Sequence, residues 1–184
     1  MSEPVVLVQL EGTLWKQGRV WSDAVHHVSG RFSRVRALDL ATLGNLEDQW
    51  QLPAQLQALD AWAGDSIAWE RELVRWLDEH LPLYVRPDRS ITQALRTIAA
   101  RSSVAVFSAL PRTPMEALLR HAGALRPVAD LYPNTSCGDL PGLACWAGGT
   151  EIVVVSADPA AARNIGGGSR IESSLLELAG AARG

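Results

Sequence analysis

The stretch that decides the fold is Val5-Val6-Leu7-Val8-Gln9-Leu10-Glu11-Gly12-Thr13. Four consecutive branched apolar residues suit a strand covered on both faces, as in a parallel sheet, and the polar, glycine-bearing turn ends it. Ligands of open α/β sheets collect at the carboxyl ends of such strands, so this turn is the first candidate for a site. Two further stretches repeat the pattern: Val104-Ala105-Val106-Phe107 runs into Ser108, and Ile152-Val153-Val154-Val155 runs into Ser156-Ala157.

Between these runs the spacing is helical. Ser22-Asp23 opens a helix to His27 or Val28. Pro53 opens another to Ala63, with Leu52, Leu56, Leu59 and Ala63 on one face and Gly64 as its stop. The next, Ser66 to His80, aligns Ile67, Glu70, Val74, Leu77 and Leu81 and ends at Pro82 and Pro87. Ser90-Ile91-Thr92-Gln93 and Thr113-Pro114-Met115-Glu116 read as capping boxes, opening helices to Arg101 and to Ala122. The Pro- and Gly-rich residues 125–149 predict loop, with one short strand near Val128 to Leu131. Asp158-Pro159 starts a short helix to Ile165, Gly166 to Gly168 break it, and Ser173 to Ala182 form a last amphipathic helix. Strands alternating with helices predict βαβ crossovers and an α/β fold with a mostly parallel sheet.

Composition narrows the classes of function. With 184 residues and 47% hydrophobic content, one domain with a full core is expected, carrying a small insertion. A net charge of -3 and dispersed arginines leave no basic footprint, which excludes nucleic acid as the main partner. There is no apolar run of about 18 residues and no basic segment leading into an apolar signal core, so no membrane partner and a cytoplasmic location are expected. Cys137 and Cys145 are expected to be free thiols. Lys16 is the only lysine among the 17 basic residues, which leaves few ammonium groups for chemistry.

Val5 to Leu14 resembles the first motif of the haloacid dehalogenase-like hydrolases, an apolar strand ending in Asp-x-Asp-Gly-Thr followed by Leu. The resemblance covers nearly the whole chain. It implies a Rossmann-like, mostly parallel, three-layer sheet core over residues 1–19 and 88–184, with a helical cap inserted over residues 20–87. Val104 to Ser108 looks like the second motif, in which Ser108 would hold a phosphoryl oxygen. The catalytic positions have changed. Gln9 stands where the family has its nucleophilic Asp, and Glu11 where it has the acid/base Asp. No Lys supplies the third motif, and Arg126-Pro127 echoes it too faintly to take over the role. In the fourth motif Ala157 stands at the first acid, Asp158 falls one position late, and Ala161 stands at the later acid.

In this family a carboxylate attacks phosphorus while Mg²⁺ offsets the repulsion between two anions. A neutral amide is a poor nucleophile and a weak ligand for that hard ion. The resemblance, with these losses, implies a fold kept after its catalytic site was given up, with no catalytic residue, no metal and no cofactor. The alternatives are a weak phosphatase or phosphotransferase using Glu11 with Mg²⁺, and a small-anion sensor with a pocket at Gly12, Thr13 and Ser108.

Trp62, Trp69 and Trp76 recur every seven residues, so on a helix all three fall near one stripe. With Arg71 and Arg75 beside them they are expected to form a surface for a protein partner or a second copy of the chain, although packing of the cap onto the core would use the same residues. His26-His27, His80 and His121 have no metal-ligand spacing, and Gly166 to Gly168 follow a helix, the wrong order for a phosphate loop.

Overall fold

The computed structural model describes residues 4–14, 20, 23–24, 27, 66–108, 110, 112–135, 139, 151–157 and 170–181. In chain order these form β1 (Val5–Gln9), α1 (Ser66–Tyr84), α2 (Arg89–Ala99), β2 (Ser103–Phe107), α3 (Arg112–His121), β3 (Asp130–Tyr132), β4 (Ile152–Val155), β5 (Arg170–Glu172) and α4 (Leu175–Ala181). Asp23, Ala24 and His27 are also helical.

The five strands make one sheet in the order β3-β2-β1-β4-β5. Every pairing is parallel, with Val6 opposite Val104 on one side and Val153 on the other. From β1 the chain builds outward to β2 and β3, then returns across β1 to place β4 and β5. The order therefore reverses between β1 and β4, which is where an open parallel sheet leaves a crevice at its carboxyl edge.

Alternation along the strands divides the core in two. Val6, Val8, Val104, Val106, Val153 and Val155 face a cluster that takes in apolar residues from all four described helices. Leu7, Ala105, Phe107, Ile152 and Val154 form a second cluster on the opposite face. Fully burying a side chain of this size contributes roughly 1.5–3 kcal/mol, so the central strands are the most strongly held part of the fold. Within the first cluster α1 packs on α3, and α2 packs on α4.

The structure corrects several expectations. Arg170–Glu172 is a fifth strand where none was predicted. It is an edge strand of three residues with one apolar side chain, too short for a period to show. The third strand lies at Asp130–Tyr132, two residues later than predicted at its start. Helix α2 is capped by Asp88, whose side chain accepts from the Ser90 and Ile91 amides, so Ser90 lies inside the first turn instead of capping it. Helix α1 runs four residues past His80, through Pro82. A proline this near the end removes one intrahelical bond, and the turn still closes through the Val85 amide and the Leu81 carbonyl at 2.8 Å. The predicted helices over 54–63 and 158–165 lie outside the described residues.

Candidate functional site

Three strands end side by side in polar residues: β1 in Gln9, β2 in Ser108 and β4 in Ser156. The backbone fixes them there. The Leu10 amide bonds the Phe107 carbonyl at 3.0 Å, the Ser108 amide bonds Tyr132 at 3.1 Å and the Ser156 amide bonds Glu172 at 3.0 Å, which carries the ladder one step beyond each strand. Beyond β1 the chain turns sharply, with the Leu14 amide donating to the Leu10 carbonyl at 3.2 Å. Gly12 sits in that turn at φ +75°, a left-handed conformation that side chains disfavour. A Cβ there would also stand 2.5 Å from the Ala157 Cβ, so glycine is required by space as well.

The polar side chains pair across the strand ends. Ser156 Oγ donates to Gln9 Oε1 at 2.7 Å. Ser108 Oγ donates to Glu11 Oε1 and accepts from the Leu110 amide, the latter at 3.0 Å. Gln9, Glu11, Ser108 and Ser156 are all buried, none more than 4% exposed. Buried polar groups carry such partners because an unmade bond there costs about 1–3 kcal/mol. These bonds join the four residues as two buried pairs at the strand ends, Gln9 with Ser156 and Glu11 with Ser108.

This arrangement determines what the residues offer chemically. Gln9 presents a neutral amide whose oxygen accepts a hydroxyl. The Ser108 hydrogen is committed to Glu11, so Ser108 has none to give an incoming anion, and the neighbouring carboxylate would repel one. Of the expected anion pocket of Gly12, Thr13 and Ser108, Ser108 is thus engaged with Glu11, and Thr13 Oγ1 is buried without a hydrogen-bond partner. Among the described residues the strand ends offer Mg²⁺ one carboxylate, Glu11, beside neutral oxygens, with the Ala157 methyl close to Gly12, while Asp158 lies outside them. Those described donors alone do not fit a hard ion that favours anionic oxygens in octahedral geometry.

The other sequence candidates are dispersed. Asp158, Ala161, Trp62 and the two cysteines lie outside the described residues, as does the side chain of Trp69. Trp76 is 5% exposed, packed with Leu73, Leu77 and Leu81 in the main cluster and stacked on His80 with ring centroids 4.6 Å apart. This corrects its assignment to an exposed docking stripe. The seven-residue spacing placed it on one line of the helix, and at Trp76 that line faces inward. Arg71 and Arg75 are exposed, and Arg75 Nη2 donates to the buried Glu72 at 2.7 Å. His27 Nε2 meets the same Glu72 oxygen at 2.9 Å. Arg126 edges an open cleft with Arg96 and Pro127, which no strand-end residue lines. Sequence reading missed Ser156 as a partner of Gln9. Its signal was present, since it is the first polar residue after a four-residue apolar strand, the same place that Gln9 holds on β1.

The reversed strand order and the polar strand ends define a haloacid dehalogenase-like α/β fold. Solved structures agree over their whole lengths. The chain is similar to a HAD-superfamily hydrolase of subfamily IA, variant 1, from Geobacter sulfurreducens, at TM-score 0.55 and 12% identity over 98% of this chain and 96% of that one. It is similar to a candidate phosphoglycolate phosphatase from Lactobacillus plantarum, at TM-score 0.59 and 10% identity over 97% and 98% of the two chains. A hydrolase from Streptococcus pneumoniae TIGR4 matches at TM-score 0.53 and 11% identity over 100% of both. No family model and no curated protein matches the sequence. Identities this low establish the fold and leave the chemistry to be argued from the residues.

Proposed function

We propose that this chain is a catalytically silent protein of the haloacid dehalogenase-like fold that acts by binding a protein partner or a second copy of itself. The observation that carries the reading is Gln9. At the end of the central strand, where these hydrolases have a nucleophilic carboxylate, a buried amide accepts a hydrogen bond from Ser156. An amide so held neither attacks phosphorus nor balances a metal ion. Glu11 does not replace it, because its carboxylate is buried and takes the Ser108 hydroxyl. No metal or cofactor enters this reading, since the described strand-end donors alone do not suit Mg²⁺. The exposed side of α1, with Arg71, Arg75 and the 78%-exposed Leu83, is the surface we assign to the partner.

The test is turnover of an aryl phosphate with Mg²⁺ by the wild-type chain, beside a Glu11→Ala control. The reading expects no turnover above background. Activity that survives repurification and falls on Glu11→Ala would replace it with a weak phosphatase.

A further inference from the structure

A cavity of about 340 Å³ opens beside the first turn of the chain, walled by Leu14, Val85, Ile91 and Leu176, with Thr13 and Arg86 among its polar residues. None of Gln9, Glu11, Ser108 or Ser156 lines it, so it is separate from the buried pairs at the strand ends. Its size falls at the small end of ligand sites, roughly 300–1,000 Å³, and its mixture of apolar wall and few polar groups is what such sites share.

Two of its polar groups are uncommitted. Thr13 Oγ1 is shut off from bulk solvent with no hydrogen-bond partner, which buried hydroxyls rarely tolerate. Arg86 makes no ion pair among the described residues. The neighbouring groups are occupied: Asp88 Oδ1 caps α2 through the Ser90 amide at 2.8 Å, and Thr92 Oγ1 donates to the Asp88 carbonyl at 3.0 Å. The free group that a guest can reach is thus the exposed Arg86 guanidinium, the Thr13 hydroxyl lying behind the cavity wall.

We propose that this cavity binds a small monoanion with an apolar body, a carboxylate. Arg86 holds the carboxylate through its planar fork, and Leu14, Ile91 and Leu176 cover the body. A guanidinium matches a carboxylate with two parallel bonds. The Asp88 carboxylate also lines the cavity and disfavours a more highly charged guest such as phosphate, because like-charge repulsion grows with the guest's charge. The proposal goes beyond catalytic silence and does not rest on it, since the cavity and Arg86 would be unchanged in a chain that hydrolysed phosphate esters.

The experiment is titration calorimetry on the full chain with hexanoate, hexanamide and inorganic phosphate. Hexanoate is expected to bind saturably and about tenfold or more tightly than hexanamide, the preference a charge-assisted bond gives. Arg86→Gln, at an exposed position that should not disturb folding, is expected to abolish that preference while leaving hexanamide unchanged. Thr13→Val, with circular dichroism to confirm the fold, is expected to leave the preference for hexanoate unchanged, since that hydroxyl is shut off from the cavity. Equal binding of hexanoate and hexanamide, tighter binding of phosphate, unchanged affinity in Arg86→Gln, or no heat with any probe would each overturn the proposal.

Discussion

Replacing Gln9 by Asp restores the acid of the first motif and tests how closed the strand end is. Gln9 is 1% exposed and accepts from Ser156 Oγ at 2.7 Å. Aspartate is one carbon shorter, so its reach to that hydroxyl is lost, which costs about 1 kcal/mol. The new carboxylate would also lie two residues from the buried Glu11. An uncompensated buried charge costs about 3–5 kcal/mol, and protonation limits that penalty. Burial and a neighbouring acid both raise a carboxyl pKa. The sign then follows. A raised folded pKa means the folded state holds the proton more tightly, so the charge penalty is absent below the unfolded value near 3.9, grows as pH rises toward the folded value and is constant above it. Urea unfolding is expected to show a loss of about 1 kcal/mol near pH 4 and about 4 kcal/mol near pH 8. Aryl phosphate turnover with Mg²⁺ should stay at background in this variant. Weak activity is expected only when Glu11→Asp and Ala157→Asp are added, which supply further acids for the ion. The same small loss at both pH values would show that the carboxylate is solvated, and brisk turnover by the single variant would refute the claim that these residues do not suit Mg²⁺.

Gly12→Ala is expected to cost about 2 kcal/mol or more, from the left-handed backbone at φ +75° and from the contact with Ala157 Cβ at 2.5 Å. Adding Ala157→Gly should recover the steric part alone, and equal unfolding midpoints for the single and double variants would show that the contact does not matter. Tyr132 should ionise above its ordinary value of 10.0, first because burial disfavours the phenolate and second because Asp130 repels it. A raised folded pKa stabilises the protonated state, so that contribution is whole below about pH 10 and lost as pH rises through the folded value. Phenolate absorbance in a Tyr84→Phe background, where Tyr132 is the remaining tyrosine, reads this directly. Asp130→Asn should bring the value part of the way down, and no change would remove Asp130 as a cause. Asp88→Ala should cost about 1 kcal/mol of stability through loss of the α2 cap, and an unchanged midpoint would return the capping role to Ser90.

The central strands were legible because burial on both faces leaves an unbroken apolar run, which Val5 to Val8, Val104 to Phe107 and Ile152 to Val155 all show. Edge strand β5 was not, because Arg-Ile-Glu has one apolar residue and its pairing with β4 is a tertiary fact. The stripe on α1 was read only in part, for a different reason. Of the expected Ile67, Glu70, Val74, Leu77 and Leu81, Leu77 and Leu81 are buried and Val74 is half-buried, while Leu73 and Trp76 join the buried line and the side chains of Ile67 and Glu70 lie outside the described residues. A helix with large apolar residues on adjacent lines offers two faces of similar hydropathy, and only packing on α3 selects between them. At the site, Gln9, Glu11 and Ser108 were legible from their position after apolar runs. Their pairing was not, because Ser156 and Gln9 are separated by 147 residues and meet only when β4 lies beside β1.

That pairing bears on how a fold built around acids stays stable without them. Two carboxylates held together at a buried strand end repel each other, and a cation normally offsets the repulsion. Removing one acid alone would leave its neighbour buried and the vacated space lined by polar groups without their former partner. In this chain Gln9 supplies an acceptor for Ser156, Glu11 takes the Ser108 hydroxyl at one oxygen, and the exposed Ala157 stands beside Gly12. The first exchange replaces a charge by a neutral bond that needs no counter-ion. Each of these features is modest alone, and together they are the physical support for the proposal that this protein acts through what it binds.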